Sequence, residues 1–441
     1  MVDAFQLRDV RRERVSQLLR ARNGRFRAFP MSLQQRGIWF IQQLLPHTTA
    51  YLVPLTLPLP QRYDPADVRR AFSAVVAHHP SLRTTFGFDG LTFEPVQRIH
   101  TTMAVPVPHS DLSALPPGEA DAAAAELGHR HATTPVDLER GPLIRVRLLD
   151  LPAGRQRLLI TVHHLIADGW SLHLLIRDLR AALDAARCGR PPALPAAPCA
   201  YHDWAAWQRG RPDQDWQPHL AFYRDLLRGV PPTLTLPTDR PRPAEPTQAG
   251  GRHVWTVPPR TLSALHERAR RGGTTLYCLL LAALAVVLSR HSGQDRVVIG
   301  TPMANRTHPD LQDVIGYFVT VGVVPITVTA PGAALLGQVH RLMVDVLSHQ
   351  EMPFSMLVED LAPRRSLGAH PIFQVMLALQ NTPDAWETEQ LQQPTVEAKF
   401  DLTFNAVEAP DGLRIDCVYA TEIFDPATVV RLCDEFTREL T

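Results

Sequence analysis

A mixed α and β fold (α/β, more closely α+β) in two lobes of similar content is what this sequence predicts, and three observations carry the prediction. Apolar segments at strand spacing alternate with helical patterns along the chain. A proline-rich stretch, GRPPALPAAPCA from Gly189 to Ala200, breaks both periodicities. The two halves on either side have like content, although no sequence repeat relates them. At 441 residues, 45% of them hydrophobic, the chain is long enough for two ordinary domains with full cores or one large two-lobed unit.

Taken in order, an arginine-rich helix runs to about Arg22, and DVRRAFSAVVAHHP reads as a second helix. LIRVRLLDL and RLLITV read as strands joined by the turn PAGRQ, an antiparallel hairpin. SLHLLIRDLRAALDAAR follows as a helix with Leu172, Leu175, Ile176 and Leu179 on one face. The proline-rich stretch then divides the chain into a first lobe, 1–190, a linker, 191–200, and a second lobe, 201–441. In the second lobe the pattern predicts helices over Thr261–Arg270 and Thr274–Arg290, a strand at RVVIG and strand-like YFVTVGVVPITV.

Composition excludes several classes. The 45 basic and 44 acidic residues nearly cancel, so no net field draws nucleic acid or an anionic membrane to the molecule. Only Lys399 among the basic residues is a lysine, and the 40 prolines are about twice the number that ordinary usage predicts, both of which fit a GC-rich coding bias. The five cysteines, Cys188, Cys199, Cys278, Cys417 and Cys433, are scattered and form no CxxC pair, which argues against a disulfide framework or zinc ribbon and fits a reducing cytoplasm. The most apolar run, Leu276–Leu288, has 13 residues where a bilayer span takes about 20, so it reads as a buried helix. The N-terminal segment mixes basic residues with Asp3, Asp9 and Glu13 and lacks the apolar core of a signal peptide.

The densest candidate chemistry is TVHHLIADGWS, Thr161–Ser171. If RLLITV is a strand, His163 and His164 leave on opposite faces and do not share one small metal site. The zinc signature with two histidines at helical spacing and an intervening glutamate is absent. A bland reading makes one histidine a satisfied core residue, the other solvated, and Asp168 the cap of the next helix. A covalent acyl-enzyme has no evident nucleophile, because no G-x-S-x-G elbow occurs and no cysteine lies near the doublet in sequence. A non-covalent acyl transfer assisted by one neutral imidazole stays open.

The segment resembles the HHxxxDG signature of nonribosomal peptide synthetase condensation domains, members of the chloramphenicol-acetyltransferase-like acyltransferases. Further stretches match that family's motifs in order: MSLQQRGIWF (Met31–Phe40), HHPSLRTTF (His78–Phe86), YHDWAAWQ (Tyr201–Gln208), VIGYFVTVGVV (Val314–Val324), HQEMPF (His349–Phe354), HPIFQVM (His370–Met376) and KFDLTF (Lys399–Phe404). Two departures stand out. His78 occupies the place of the second motif's usual arginine, which weakens an expected structural ion pair, and Thr320 and Val321 replace an Asn-Thr pair, which alters an expected channel wall.

The resemblance implies two chloramphenicol-acetyltransferase-like lobes in a V-shaped pseudo-dimer, with the histidines at the floor of a channel open to two pantetheine arms. It assigns bond formation to His164. An α-amine has a pKa of about 8, and its attack on a thioester gives a zwitterionic species; a neutral imidazole either takes its proton or hydrogen-bonds and orients the amine, so His164 is read as a base or an orienter. Positioning of the two tethered reactants is expected to supply more of the rate. His163 is expected to hydrogen-bond within the fold, Asp168 to be buried and paired with Arg83, and Gly169 to permit close approach of substrate at the helix start. Trp39, Tyr201 and Trp207 are read as structural. The arginine-rich first helix is read either as a solvated face or as a dock for an acidic partner.

The implied partners are donor and acceptor carrier proteins, which bring substrates on 4'-phosphopantetheine arms, and an adjacent adenylation domain. No permanently bound cofactor, metal, nucleic acid or membrane is expected. No adenylation motif and no Gly-Gly-x-Ser carrier signature occurs in the sequence, and the C-terminal pattern is helical, so the expectation is a domain of a synthetase or a free-standing condensing enzyme. Two alternatives accompany it: a non-catalytic platform for carrier proteins or tailoring enzymes, and an acyltransferase with a soluble amine or alcohol acceptor. SLQQRGIWF and LRTTF look closer to domains joining an L donor to an L acceptor than to cyclising domains, whose DxxxxD motif is absent.

Overall fold

The computed structural model describes residues 26–231, 233–244, 247–329, 332–361, 370–380 and 396–440. The expected arginine-rich first helix lies outside them. The chain forms two compact units. The first takes the described residues to His47, then Tyr51–Gly210 and His308–Tyr317; the second takes Thr48–Ala50, Arg211–Thr307 and the described residues from Phe318.

The first unit runs β1 (Phe26–Pro30), α1 (Leu33–Leu44), β2 (Leu52–Leu59), α2 (Pro65–His78), β3 (Thr84–Phe88), β4 (Pro95–His100), β5 (His109–Asp111), α3 (Pro117–Thr133), β6 (Ile144–Asp150), β7 (Gln156–His163), α4 (Gly169–Arg187) and α5 (Tyr201–Arg209). The expected hairpin is β6–β7, antiparallel with Ile144 opposite Val162, inside a sheet of order β2-β7-β6-β5. Strands β1, β4 and β3 make a separate sheet. Because β7 lies between two neighbours and is covered on both faces, all of its residues but Arg157 are buried, and its middle, LLITV, is apolar apart from Thr161. On one face, Val162 and Ile160 join the core that includes Phe72 and Val75 of α2 and Leu175 and Leu179 of α4. On the other lies α3, whose buried Ala120, Ala124, Gly128 and Ala132, spaced four apart, let the helix come close to the sheet.

The division between units differs from the expected one. The proline-rich stretch stays with the first unit, as does α5, because Tyr201 is buried there and Gln208 Oε1 accepts the Leu33 N–H at 2.9 Å. Residues 308–317 return to that unit from the second half of the sequence. Both features depend on long-range contacts that periodicity does not record.

The second unit holds α6 (Gln217–Leu226), β8 (Ala249–Val257), α7 (Pro259–Arg271), α8 (Leu276–Ser292), β9 (Arg296–Met303), β10 (Thr320–Thr327), α9 (Ala333–Ser348), α10 (Phe354–Leu361), β11 (Val375–Gln380), β12 (Val396–Glu397), β13 (Leu402–Ala409), β14 (Gly412–Ala420) and α11 (Pro426–Leu440). Its sheet has the order β10-β9-β11-β13-β14-β8-β12, parallel only where β11 meets β9 and β13. The apolar run Leu276–Leu288 is the buried helix α8, capped by Thr275 Oγ1 and ended at Gly293, whose φ of 68° suits glycine. Among the described residues, no single helix is long and apolar enough to cross a membrane.

Candidate active site

The doublet ends β7. The His163 N–H donates to the Leu143 carbonyl at 2.9 Å, and the His164 N–H to the Tyr51 carbonyl at 2.8 Å on the other side. β7 stops at His163 and His164 opens a turn, in which the Ile166 N–H donates to the His163 carbonyl at 3.0 Å, and the two rings meet different partners. His163 is 1% exposed. Its Nδ1 accepts the Leu165 N–H at 3.1 Å, which puts the ring proton on Nε2, 3.4 Å from Gln42 Oε1. His164 is partly exposed and has the opposite tautomer. Its Nδ1 lies 3.2 Å from the Ala167 carbonyl oxygen, which only accepts, so the proton is on Nδ1 and Nε2 is the basic atom. Its ring centroid is 5.7 Å from that of Tyr317.

The turn after the doublet is pinned from several directions. Leu165, Ile166 and Ala167 are buried, and the Leu165 carbonyl accepts from Gln35 Nε2 at 2.9 Å. Gln35 also closes a capping box with Ser32 at the start of α1, so the first motif fixes both that helix and the histidine turn. Asp168 caps α4: its Oδ1 accepts the Ser171 N–H at 2.8 Å. Gly169 is the first residue of that helix. The Ser171 hydroxyl lies 2.7 Å from Asp168 Oδ1 and 2.8 Å from the Gly316 carbonyl, and it accepts the Gly316 N–H at 3.0 Å. Trp170 Nε1 donates to the Gln312 carbonyl at 2.8 Å. The helix start thereby holds segment 308–317, which presents Tyr317.

Arg83 corrects an expectation. Its guanidinium donates through Nη1 to the His100 carbonyl and is not paired with Asp168, and burial lowers its pKa below the usual arginine range. The cause is topological: Arg83 leads into β3, whose partner β4 ends at His100, so its side chain lies along the three-stranded sheet and not toward the doublet. His78, in the arginine's place, donates from Nε2 to the Pro195 carbonyl at 2.8 Å and so ties the proline-rich stretch to α2. His79 Nε2 is 2.8 Å from Asp178 Oδ2, whose other oxygen accepts from Arg177 Nε at 2.8 Å. Burial alone would push the Asp178 carboxyl up; the hydrogen bonds from His79 and Arg177 outweigh it and hold the pKa below the usual range.

In the second unit, Thr320 Oγ1 donates to the Met352 carbonyl at 2.8 Å, which joins β10 to the HQEMPF stretch. Trp39 and Tyr201 are buried, but Trp207, read as structural, is 54% exposed on the outer face of α5. Sequence reasoning misses Gln35, Gln42, Ser171 and Tyr317 as neighbours of the doublet. Only Gln35 leaves a local signal, the Ser-x-x-Gln capping pattern. Among the described residues, no group of three or more His, Cys, Asp and Glu could hold a metal ion.

Among known families, the one described as the condensation domain matches residues 27–441. The chain belongs to the condensation domain family. A linear gramicidin synthase from Brevibacillus parabrevis is 36% identical over 428 residues, 93% of this chain and 5% of that protein. Phosphinothricin tripeptide synthetase PhsB from Streptomyces viridochromogenes is 38% identical over 414 residues, 91% of this chain and 35% of that protein. This condensation domain thus spans between about a twentieth and about a third of the length of these synthetases. Among solved structures, the X-domain from teicoplanin biosynthesis is 28% identical with a TM-score of 0.78, covering 93% of this chain and 94% of that one. It has also been determined in a complex with OxyB. The condensation domain from the Monacolin K polyketide synthase MokA, 16% identical, covers 94% of this chain and 96% of that one with a TM-score of 0.81, and shows the shared mixed α and β fold.

Proposed function

We propose that this condensation domain forms an amide bond between a donor acyl, aminoacyl or peptidyl thioester and an acceptor aminoacyl thioester. Both reactants arrive on phosphopantetheine arms of carrier proteins, loaded by an adenylation domain. The observation that carries the reading is the tautomer of His164: with Nδ1–H committed to the Ala167 carbonyl, Nε2 is the acceptor for a proton of the attacking amine. The amine nitrogen attacks the thioester carbon, Nε2 accepts the amine proton, and the tetrahedral species collapses with departure of the thiolate, which takes the proton back. His163 supports this as a positioning residue, because its Nδ1 bond to the Leu165 N–H shapes the turn that orients His164. Asp168 and Gly169 set the helix start behind that turn. The test is intact-mass detection of product transferred from a loaded donor carrier to an amine-loaded acceptor carrier, comparing wild type with His164→Ala. Product from the wild type and a large loss in the variant is expected; equal product from both refutes the role of His164.

A second reading, a docking platform for another protein, draws on the likeness to an X-domain known in complex with OxyB. It predicts partner binding without any amide product. The intact HHxxxDG sequence, from His163 to Gly169, favours the catalytic reading.

A further inference from the structure

The mechanism above gives the amine a proton acceptor but leaves the carbonyl oxygen of the thioester, which gains negative charge during attack, without a donor. Beside the His164 ring stands Tyr317, with ring centroids 5.7 Å apart and planes inclined at 56°. A basic imidazole nitrogen and a phenol on adjoining rings supply an acceptor and a donor to one reacting centre.

Tyr317 is unusually well fixed for a residue outside regular structure. Its carbonyl accepts from Tyr201 Oη at 2.7 Å, and the preceding Gly316 is bound through both N–H and C=O to Ser171 Oγ. One residue earlier, the Ile315 carbonyl accepts from Ser81 Oγ at 2.6 Å. Three elements thus hold the backbone that carries this side chain, as preorganised catalysis requires. Among the described residues, no hydrogen bond engages the Tyr317 hydroxyl, whereas the phenols of Tyr63, Tyr201 and Tyr277 all have protein partners. Burial, with lesser contributions from Tyr51 and Asp168, pushes the phenol pKa above its usual value, so the group keeps its proton at neutral pH.

We propose that Tyr317 is a further catalytic residue, whose hydroxyl donates a hydrogen bond to the donor thioester's carbonyl oxygen as the amine attacks. The inference rests on the amide-forming reading. In the step, the N–C bond forms, the C=O pair moves onto the oxygen held by Tyr317, and on collapse that pair returns as the C–S bond breaks; Tyr317 keeps its own proton throughout.

The test compares wild type and Tyr317→Phe, which keeps the ring against His164 and removes only the hydroxyl. The assay is single-turnover amide formation between loaded carriers, with carrier affinity and urea midpoint measured in parallel. The expected result is a rate lowered about 100-fold, as for loss of one oxyanion donor, with affinity and midpoint unchanged. A rate within about twofold of wild type overturns the inference while the amide-forming reading stands. A lowered urea midpoint also overturns it, since that would make the hydroxyl a structural partner. If wild type itself forms no amide, the underlying reading fails and this inference with it.

Discussion

Gly316 is the position at which fold and chemistry can be separated most sharply. A methyl group there would lie 2.0 Å from Cδ2 and 2.5 Å from Cγ of Tyr201, deep inside van der Waals contact. The neighbour is the root of a buried ring, not the tip of a flexible chain, so Gly316→Ala must displace Tyr201. That ring's hydroxyl donates to the Tyr317 carbonyl at 2.7 Å and is 2.8 Å from Ser32 Oγ, so both bonds break when it moves. Overpacking typically costs about 1–3 kcal/mol and each lost bond about 1 kcal/mol, which together put the loss near 3–5 kcal/mol. The assay is urea denaturation of a double-mutant cycle with Tyr201→Leu, which removes both the clash and the bonds. Gly316→Ala should cost far less in the Tyr201→Leu background than in the wild type, a coupling of about 2 kcal/mol or more. Additive losses, or a cost of Gly316→Ala below about 1 kcal/mol, would refute the reasoning.

Three further outcomes follow from the same contacts. Gln35→Ala strands the Leu165 carbonyl and the Ser32 N–H, both buried, and should cost about 2–4 kcal/mol in urea denaturation while slowing amide formation with carrier affinity intact. Arg242→Ala removes the guanidinium that donates from Nη1 to Asp401 Oδ1 at 2.8 Å and leaves a buried carboxylate uncompensated; a loss of about 3–5 kcal/mol in the same assay is expected. His131 in the first unit and His370 in the second are each lowered from 6.5 to about 4, by burial first. The unfolded chain therefore takes up protons before the native one as pH falls, so stability present at pH 7 is lost between about 6.5 and 4. Urea midpoints at pH 5 and 7 should show that fall, and His131→Gln should reduce it.

Much of the first unit's scaffold was legible because its signals are local. β6 and β7 announce themselves by apolar runs around a turn, α4 by its amphipathic face and by Asp168 at its start. The doublet stands where β7 gives way to a turn, and His163 and His164 have different partners there. What sequence could not deliver is pairing across distance. Arg83 has the charge to meet Asp168, but the sheet it enters carries it to His100. Tyr317 lies 153 residues beyond His164, and no period or spacing brings them together. The proline-rich stretch marks a break in secondary structure, not the border of a unit, because His78 binds it and α5, which follows it, belongs to the first unit as well.

The return of residues 308–317 to the first unit bears on how such domains can be recombined. A hybrid joined at the proline-rich stretch would take Ser171 from one parent and Gly316 from the other, and would set two separately evolved surfaces against each other beside His164. A junction after Gly210, with 308–317 transplanted alongside, keeps Ser81, Trp170, Ser171 and Tyr201 with the segment they bind. Inheritance of the reaction centre is thus a matter of two stretches of gene, and exchanging only one of them breaks it.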